Sequence, residues 1–219
     1  MTYQFIPYQV ANFDLETQKE RAKSYYQYMD TRRTVREYSD QEVPMELIEN
    51  IIKTASTAPS GAHKQPWTFC VVKDPEMKKK IRIAAEKEEK ESYESRMSER
   101  WKQDLEPLGT NWEKPFLEKA PYLIVVFKRV YEKSGDQKVN NYYVNESVGL
   151  ACGFLINAIH NAGLATLTHT PSPMNFLAEL LERPANERPF LLLPVGYPAP
   201  DAQVPVLERK PLDAVMKVY

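Results

Sequence analysis

The run YLIVVF at residues 122–127 constrains the fold more than any other part of the chain. A strand with one face in water alternates apolar and polar residues, and this run does not alternate. It therefore predicts a short strand that is buried on both faces. Other elements of the chain must cover the two sides of the sheet to which it belongs.

The rest of the chain shows patterns typical of strands and patterns typical of helices in turn. Besides residues 122–127, strands are predicted at 67–72, 164–168 and 190–195. Helices are predicted at 16–30 with Asp14 as cap, from Pro44 to before Pro59, from Pro75 to about Arg100, at 147–162 and at 176–181. Irregular connections join these elements and 133–137 reads as a polar turn, so we expect an α+β fold with one small sheet and a large helical layer.

The predicted helix at 147–162 is apolar on nearly all sides, and Gly163 follows it as a stop signal. Such a helix lies either in the centre of a core or at a subunit interface. Residues 1–13 and 198–219 flank the folded part as extended arms, and arms of this kind can embrace a second subunit.

Composition excludes several classes of protein. Of 219 residues, 42% are apolar and 27% are charged, which is typical of a soluble domain with a sizeable core. The formal net charge of -1 gives no general attraction to nucleic acid or to an anionic membrane. With 7 glycines against 17 prolines, the chain has neither a G-x-G-x-x-G nor a P-loop pattern. No apolar run approaches membrane-spanning length.

The two cysteines, Cys70 and Cys152, both lie in apolar surroundings. We expect them to be buried thiols, with neither a disulfide framework nor a metal site, because no metal-ligand spacing occurs. The N-terminus lacks the basic and apolar regions of a signal peptide. A reducing, cytoplasmic location fits these features.

Three arginines lie within five residues in RRTVR at 32–36, and a Pro-Ser-Gly turn at 59–61 follows one helix later. A guanidinium is a planar fork that suits a phosphate, and a Ser-Gly turn lets backbone N–H groups approach a flat ligand. The pair is consistent with a site for a phosphorylated cofactor. An arginine-rich pentapeptide is also compatible with a solvated face that forms loose ion pairs.

The predicted third helix has a highly charged middle at 86–91, EKEEKE. A helix this polar buries little, so we expect it to be solvent-facing or mobile. Glu89 and Tyr93 are spaced i,i+4 and share one helix face, where they could present a carboxylate and a phenol to one ligand. Taken alone, however, Glu89 reads as one of many glutamates on a solvated helix.

Several segments together resemble the flavin-dependent nitroreductase superfamily. They are RRTVR at 32–36, PSG at 59–61, QPWTF at 65–69, LPVGYP at 193–198 and ERKPLD at 208–213. APSGAH at 58–63, TNWEK at 110–114, ACG at 151–153 and NAGL at 161–164 resemble the iodotyrosine deiodinases in particular. The resemblance implies one nitroreductase-like domain over 1–219, a small mixed sheet flanked by helices, and a domain-swapped homodimer. It also implies a mobile active-site lid at about 86–116.

The same resemblance implies FMN as the cofactor, bound at the dimer interface. The implied cofactor contacts are Arg32, Arg33, Thr34, Val35, Arg36, Ser60, Gly61, Thr168, His169, Thr170 and Arg209. Arginines then hold the phosphate and the polar edge of the flavin, where a cation stabilises the reduced ring. Arg209 would complete the phosphate clamp, although on its own it reads as a surface charge.

In the deiodinases a threonine hydroxyl reaches flavin N5, which favours one-electron steps. Thr168, Thr170 or both would have this catalytic role, and without the resemblance they are hydroxyls at a strand end. Glu89, Tyr93 and Lys114 would bind the two charged ends of a zwitterionic amino acid, with Glu89 at the ammonium. Ala62 would offer its backbone N–H to the phenolate of the substrate.

The implied activity is reductive dehalogenation of halotyrosines, such as 3-iodotyrosine, to tyrosine and halide. Vertebrate members of the family have a membrane anchor, and this chain resembles a microbial type without one. One alternative is an FMN nitroreductase or quinone reductase that uses NAD(P)H. Others are a flavin- or tyrosine-binding module without useful turnover and a protein without any cofactor. No NAD(P)H motif is visible, so the sequence leaves the reductant open.

Overall fold

The computed structural model describes residues 3–135 and 137–219. The chain divides into an N-terminal unit that ends at Arg32 and a larger unit that begins at Arg33. In the N-terminal unit, irregular chain up to Asp14 leads into helix α1, Leu15–Asp30. The Asp14 carboxylate accepts a hydrogen bond from the backbone N–H of Thr17 at 2.8 Å, which confirms the predicted cap.

The larger unit is built on a four-stranded sheet of β1 (Trp67–Val72), β2 (Tyr122–Arg129), β5 (Ala165–Thr166) and β6 (Glu187–Gly196). The order of the strands across the sheet is β1-β2-β6-β5. All three ladders are antiparallel, and the one parallel pairing among the described residues is an isolated bridge between Thr34 and Thr166. Only this bridge agrees with the prediction of a mixed sheet, since the ladders themselves are all antiparallel.

Helices surround the sheet, and two short strands form a separate hairpin. The helices are α2 (Met45–Ser56), α3 (Pro75–Glu91), α4 (Glu99–Leu105), α5 (Phe116–Lys119), α6 (Val144–Asn161), α7 (Asn175–Leu180) and α8 (Leu212–Val215). The hairpin consists of β3 (Tyr131–Ser134) and β4 (Gln137–Asn140).

Alternate side chains of β2 enter two different hydrophobic clusters, one on each face of the sheet. Ile124 and Val126 pack into the cluster that includes α2 and α6, and Leu123, Val125 and Phe127 pack into the cluster that includes α3, α5 and α7. All five side chains are fully buried. The prediction of a strand covered on both faces is confirmed, because each face has its own layer of helices.

Several predicted elements differ in extent from the observed ones. The strand predicted at 164–168 has only two residues, although His169 pairs again with Leu192 through an isolated bridge. The polar turn predicted at 133–137 is the tip of the β3–β4 hairpin, with Gly135 in the left-handed region and Asp136 outside the described residues. The long third helix ends at Glu91, continues as one wide π turn over Ser92–Arg96, and α4 then begins behind its own cap at Ser98.

Candidate active site

Helix α3 forms one wall of the candidate site. Asp74 caps it by accepting from the N–H of Met77 at 2.7 Å, and Pro75 occupies the first turn, where its missing N–H costs nothing. Ile81 and Ala85 anchor the helix in the core. This anchoring turns Glu86 and Glu89 toward the protein, so the charged middle predicted to face solvent is only partly exposed.

Glu89 and Lys114 form an ion pair that is shielded from water. The Nζ of Lys114 lies 3.4 Å from Oε2 of Glu89, and the two side chains are 5% and 13% exposed, respectively. Both residues were predicted to bind the substrate, and the structure brings them together. The pair connects α3 with the segment that precedes α5, although the two residues are 25 positions apart in the sequence.

Tyr93 completes the same cluster from the π turn. Its hydroxyl donates to the carbonyl oxygen of Thr110 at 3.3 Å, and its ring centroid lies 5.9 Å from Nζ of Lys114. Lys114 also donates to the carbonyl oxygen of Asn111 and lies 3.4 Å from the hydroxyl of Thr110. A π turn is a wide turn that is often found at functional sites, and this one presents the phenol beside the ammonium.

Burial pushes both members of the ion pair toward their neutral forms. Desolvation raises the pKa of Glu89 above its usual value, and Lys114 opposes part of that rise. Desolvation also lowers the pKa of Lys114, with Glu89 as the main opposing charge. Burial raises the pKa of Tyr93 as well, with a further contribution from the Glu89 carboxylate. The cluster thus holds two charges in a place where extra polar partners would stabilise them.

The opposite wall is the segment that follows β5. The N–H of Val35 donates to the carbonyl oxygen of Thr166 at 3.3 Å, so the arginine-rich segment runs beside this strand. Arg36 is therefore carried to the same place as Thr168 and Thr170, and all three residues line one cavity with Glu89. Predicted cofactor residues and predicted substrate residues meet there.

His169, which was itself predicted to contact the cofactor, is buried in this wall between Thr168 and Thr170. Its Nδ1 lies 4.0 Å from Oε1 of Glu89, and its ring packs edge-on against Phe116 at a centroid distance of 5.7 Å. Burial, assisted by the charges of Lys114 and Arg36, lowers the pKa of His169 to about 3. The imidazole is therefore neutral at physiological pH and does not compete with Lys114 for the Glu89 carboxylate.

The cavity has a volume of about 290 Å³, and its lining joins charged and apolar groups. Sequence reasoning missed its apolar side, which includes Met97, Trp101 and Leu105. These three residues recur every four positions, so α4 and the residue before its cap present one apolar stripe to the cavity. That spacing, within a highly polar stretch of sequence, was the signal that could have identified them.

The loop of Ser60, Gly61 and Ala62 does not line this cavity. The hydroxyl oxygen of Ser60 accepts from the N–H of Gln65 at 2.9 Å, and the N–H of Gly61 donates to the hydroxyl of Ser147 at 3.2 Å. A Cβ on Gly61 would lie 2.9 Å from Cδ2 of Tyr143, so glycine is required by this close approach. Ala62 has a φ of 49°, a left-handed conformation that is uncommon outside glycine.

The other predicted cofactor residues are distributed over three places. Arg33 is half-buried and donates to the carbonyl oxygen of Pro205 in the C-terminal arm, and Arg209 is an exposed residue of that arm. Arg32 ends the N-terminal unit, where its N–H donates to the carbonyl oxygen of Met29 at 3.2 Å. Thr34 forms the bridge to Thr166 described above.

Arg36 also lines a second cavity of about 420 Å³. Its other lining residues belong to the turn at 107–109, to Glu37 and to the C-terminal arm at 203–205. Within the described residues, no carboxylate lies at ion-pair distance from Arg36, although its side chain is half-buried. A cation with cavities on two sides and no protein counter-ion is suited to an anionic or electron-rich ligand.

Two further properties of the described residues bear on function. Across residues 3–135 and 137–219, no group of three or more His, Cys, Asp and Glu side chains has the arrangement needed to hold a metal ion. Over the same ranges, none of the helices combines the length and the apolar character that crossing a bilayer demands. Cys70 and Cys152 are free thiols. Cys152 is buried, as predicted, whereas the prediction of a buried Cys70 is wrong, because that side chain is only partly buried.

Residues 29–197 match the model of the nitroreductase family. An iodotyrosine deiodinase of Haliscomenobacter hydrossis is 65% identical over 217 residues, which cover 98% of this chain and 97% of that protein. The human iodotyrosine deiodinase 1 is 49% identical over 213 residues, which cover 96% of this chain and 74% of the human one.

The fold is also similar to that of solved structures. A crystal structure of oxidized iodotyrosine deiodinase bound to FMN and 3-iodo-L-tyrosine superposes with a TM-score of 0.77 at 34% identity. The superposition covers 86% of this chain and 96% of that one. Family model, sequence identity and fold agree, and the chain belongs to the nitroreductase family, in its iodotyrosine deiodinase branch.

Proposed function

We propose that this protein catalyses the FMN-dependent reductive dehalogenation of halotyrosines to tyrosine and halide. The observation on which this rests is the buried Glu89–Lys114 ion pair, which lines a cavity of about 290 Å³ together with Arg36, Thr168 and Thr170. The similarity to the deiodinases of Haliscomenobacter hydrossis and of man supports the same activity.

The charged cluster suits a free amino acid better than a neutral aromatic compound. A zwitterion supplies an ammonium to Glu89 and a carboxylate to Lys114 and Tyr93, so each buried group gains an opposite charge or a hydrogen-bond partner. The aromatic ring then has the apolar stripe of Met97, Trp101 and Leu105 at the same cavity. A nitroarene or quinone without charged ends would leave the ion pair without this stabilisation.

The polar groups of this chain fit an FMN cofactor. Guanidiniums bind phosphate and the polar edge of the flavin, and the half-buried Arg36 lies between two cavities without a counter-ion among the described residues. Arg33, Arg209 and Arg32 would bind the phosphate, and Ser60 and Gly61 would contact the ring. The hydroxyl of Thr168 or Thr170 would donate to flavin N5. When bound, FMN supplies the electrons of the reaction.

The overall change replaces a carbon–halogen bond by a carbon–hydrogen bond. Two electrons and one proton enter the halotyrosine, and the halogen leaves as halide. The chain binds the amino-acid end with Glu89 and Lys114, and we assign the backbone N–H of Ala62 to the phenolate oxygen. At the other end of the site, where the reaction takes place, the hydroxyl of Thr168 or Thr170 would lie beside the ring and donate a hydrogen bond.

The position of the Ser60–Ala62 loop supports a homodimeric site. The loop precedes β1 at one edge of the sheet, whereas Thr168 follows β5 at the other edge, about 14 Å away across three strand spacings. A single chain therefore keeps the two predicted groups apart, and a second copy can supply the loop. Helix α6 offers an apolar contact for that copy, because Leu150 and Phe154 are 49% and 40% exposed.

Residues 86–116 would act as the active-site lid of a single domain flanked by arms at 1–13 and 198–219. Most contacts of the substrate clamp come from this segment, so ligand binding would hold it closed over the site and exclude water. A cytoplasmic location remains a prediction, and so does the use of an external reductant.

The test is an anaerobic reaction of the FMN-loaded protein with dithionite and 3-iodo-L-tyrosine, in which iodide and tyrosine are both quantified. We expect stoichiometric release of the two products. The Glu89→Gln variant should lose at least about tenfold in kcat/KM, since a neutral amide replaces a charge-assisted partner of the ammonium. Glu88→Gln is the matched control, because Glu88 lies next to Glu89 and pairs with Arg96 instead.

Reduction of a nitroarene without any release of iodide would refute the dehalogenase function and favour the nitroreductase alternative. Tight binding of 3-iodotyrosine without turnover would favour a binding module. Equal losses in the Glu89→Gln and Glu88→Gln variants would withdraw the assignment of Glu89 to the ammonium.

A further inference from the structure

Glu86, one turn before Glu89 on α3, has no part in the substrate clamp described above. One of its carboxylate oxygens, Oε1, accepts from the backbone N–H of Lys114 at 2.7 Å. The same oxygen accepts from Nε of Arg82, also at 2.7 Å. The side chain of Glu86 is only 16% exposed, so these bonds are largely shielded from water. The contact ties the backbone of Lys114 to α3.

This tie fixes the geometry of the clamp through the backbone. Lys114 reaches Glu89 with a long, flexible side chain, and the pair can form only where the two backbones are held at the right separation. Glu86 and Glu89 are three residues apart, so they lie on the same face of α3. One glutamate holds the backbone of Lys114 while the other meets its ammonium.

We propose that Glu86 is a positioning residue for recognition of the amino-acid end of the substrate. It holds the segment before α5 against α3, so that Lys114 is in place before the ligand arrives. Arg82 orients the Glu86 carboxylate for this task, and Glu118 shares Arg82 through an ion pair of 3.2 Å. The inference rests on the proposed function for the identity of the ligand, but the tie itself exists without ligand.

The first test measures the tie directly in the protein without ligand. Hydrogen–deuterium exchange at the Lys114 amide should be about tenfold faster or more in Glu86→Ala, because the amide loses a charge-assisted acceptor. Glu86→Gln keeps an oxygen that can accept from this amide and should be intermediate. Glu118→Gln is the matched control, because it removes the other carboxylate on Arg82 and leaves the Lys114 amide bonded.

The second test compares the binding of two ligands by the FMN-loaded protein. Glu86→Ala should weaken the binding of 3-iodo-L-tyrosine about tenfold, whereas binding of 2-iodophenol, which lacks the amino-acid end, should change less than about twofold. Glu86→Gln should recover part of the loss. Circular dichroism of each variant identifies any that fails to fold, and Glu86→Gln then provides the comparison.

Unchanged exchange at Lys114 in both Glu86 variants would overturn the inference. So would an equal loss of affinity for both ligands, which indicates a general structural role. The proposed function has a separate readout in the release of iodide. Selective loss of 3-iodotyrosine binding in a protein that releases no iodide would uphold the role of Glu86 and refute the dehalogenase.

Discussion

Replacing Lys114 by methionine leaves the Glu89 carboxylate buried without its counter-ion. Breaking a buried pair by removing one partner costs about 3–5 kcal/mol, because the remaining charge has no compensation. Glu89 is 13% exposed and its pKa is already raised by burial, so protonation offers it a partial escape. We therefore expect a loss near the lower limit, about 3 kcal/mol at pH 7, and a smaller loss at acidic pH.

The assay is urea unfolding at a fixed protein concentration, with the wild type, the two single variants and the double variant Glu89→Gln/Lys114→Met. The double variant removes both charges, so it should be more stable than the sum of the single losses predicts, by about 2 kcal/mol. Lys119→Met is the matched control, because Lys119 is an exposed lysine a few residues away on α5. It should change stability by less than about 0.5 kcal/mol.

Strictly additive losses in the double variant would refute the reasoning, as would a Lys114→Met variant no less stable than Lys119→Met. Either result would mean that the 3.4 Å contact between Lys114 and Glu89 contributes no coupling energy. A loss of 3-iodotyrosine binding with unchanged stability would likewise place the role of Lys114 in recognition alone.

Three further outcomes are expected. Because the pKa of His169 is about 3 in the folded protein and 6.5 in the unfolded chain, stability should rise with pH between these values. His169→Gln should lower that rise by about 3 kcal/mol between pH 4 and 6.5 in urea titrations, and an unchanged slope would contradict this. Because the pKa of Glu89 is raised, calorimetric binding of 3-iodo-L-tyrosine should weaken on acidification at a pH above the usual carboxyl range, and Glu89→Gln should lack this effect. Gly196→Ala should lower stability by about 1–3 kcal/mol in thermal unfolding, because its Cβ would lie 2.4 Å from Cδ of Pro121; a neutral effect would mean that the backbone yields there.

Local sequence signals predicted the elements of the fold well where the pattern was strong. The strand β1 was predicted with its observed ends, and the cap at Asp14 and the stop at Gly163 are as expected. The strand β5 was predicted too long, because its apolar residues continue into the wall of the cavity after the ladder has ended. An apolar run alone does not show whether a residue is buried because it pairs within a sheet or because it lines a ligand site.

The chemistry of the site was predictable in kind from the sequence and from the family it resembles. Arginines, paired threonines and the Glu89–Tyr93 spacing were all visible as residue types at suitable positions. The apolar stripe of Met97, Trp101 and Leu105 was missed, since it lies in a segment whose mean composition is highly polar. Glu86 was seen only as one member of a charged run.

The sequence by itself indicated the longer helices and the four strands of the main sheet, because capping, periodicity and turn chemistry act over a few neighbouring positions. Only the tertiary structure decided which charged side chains are buried and which partners they have. Glu86, Glu88 and Glu89 look alike in sequence, yet they meet the Lys114 backbone, Arg96 and the Lys114 ammonium, respectively. The reason is physical: the electrostatics of a carboxylate depend on burial and on partners that are distant in the chain, and folding alone brings those partners together.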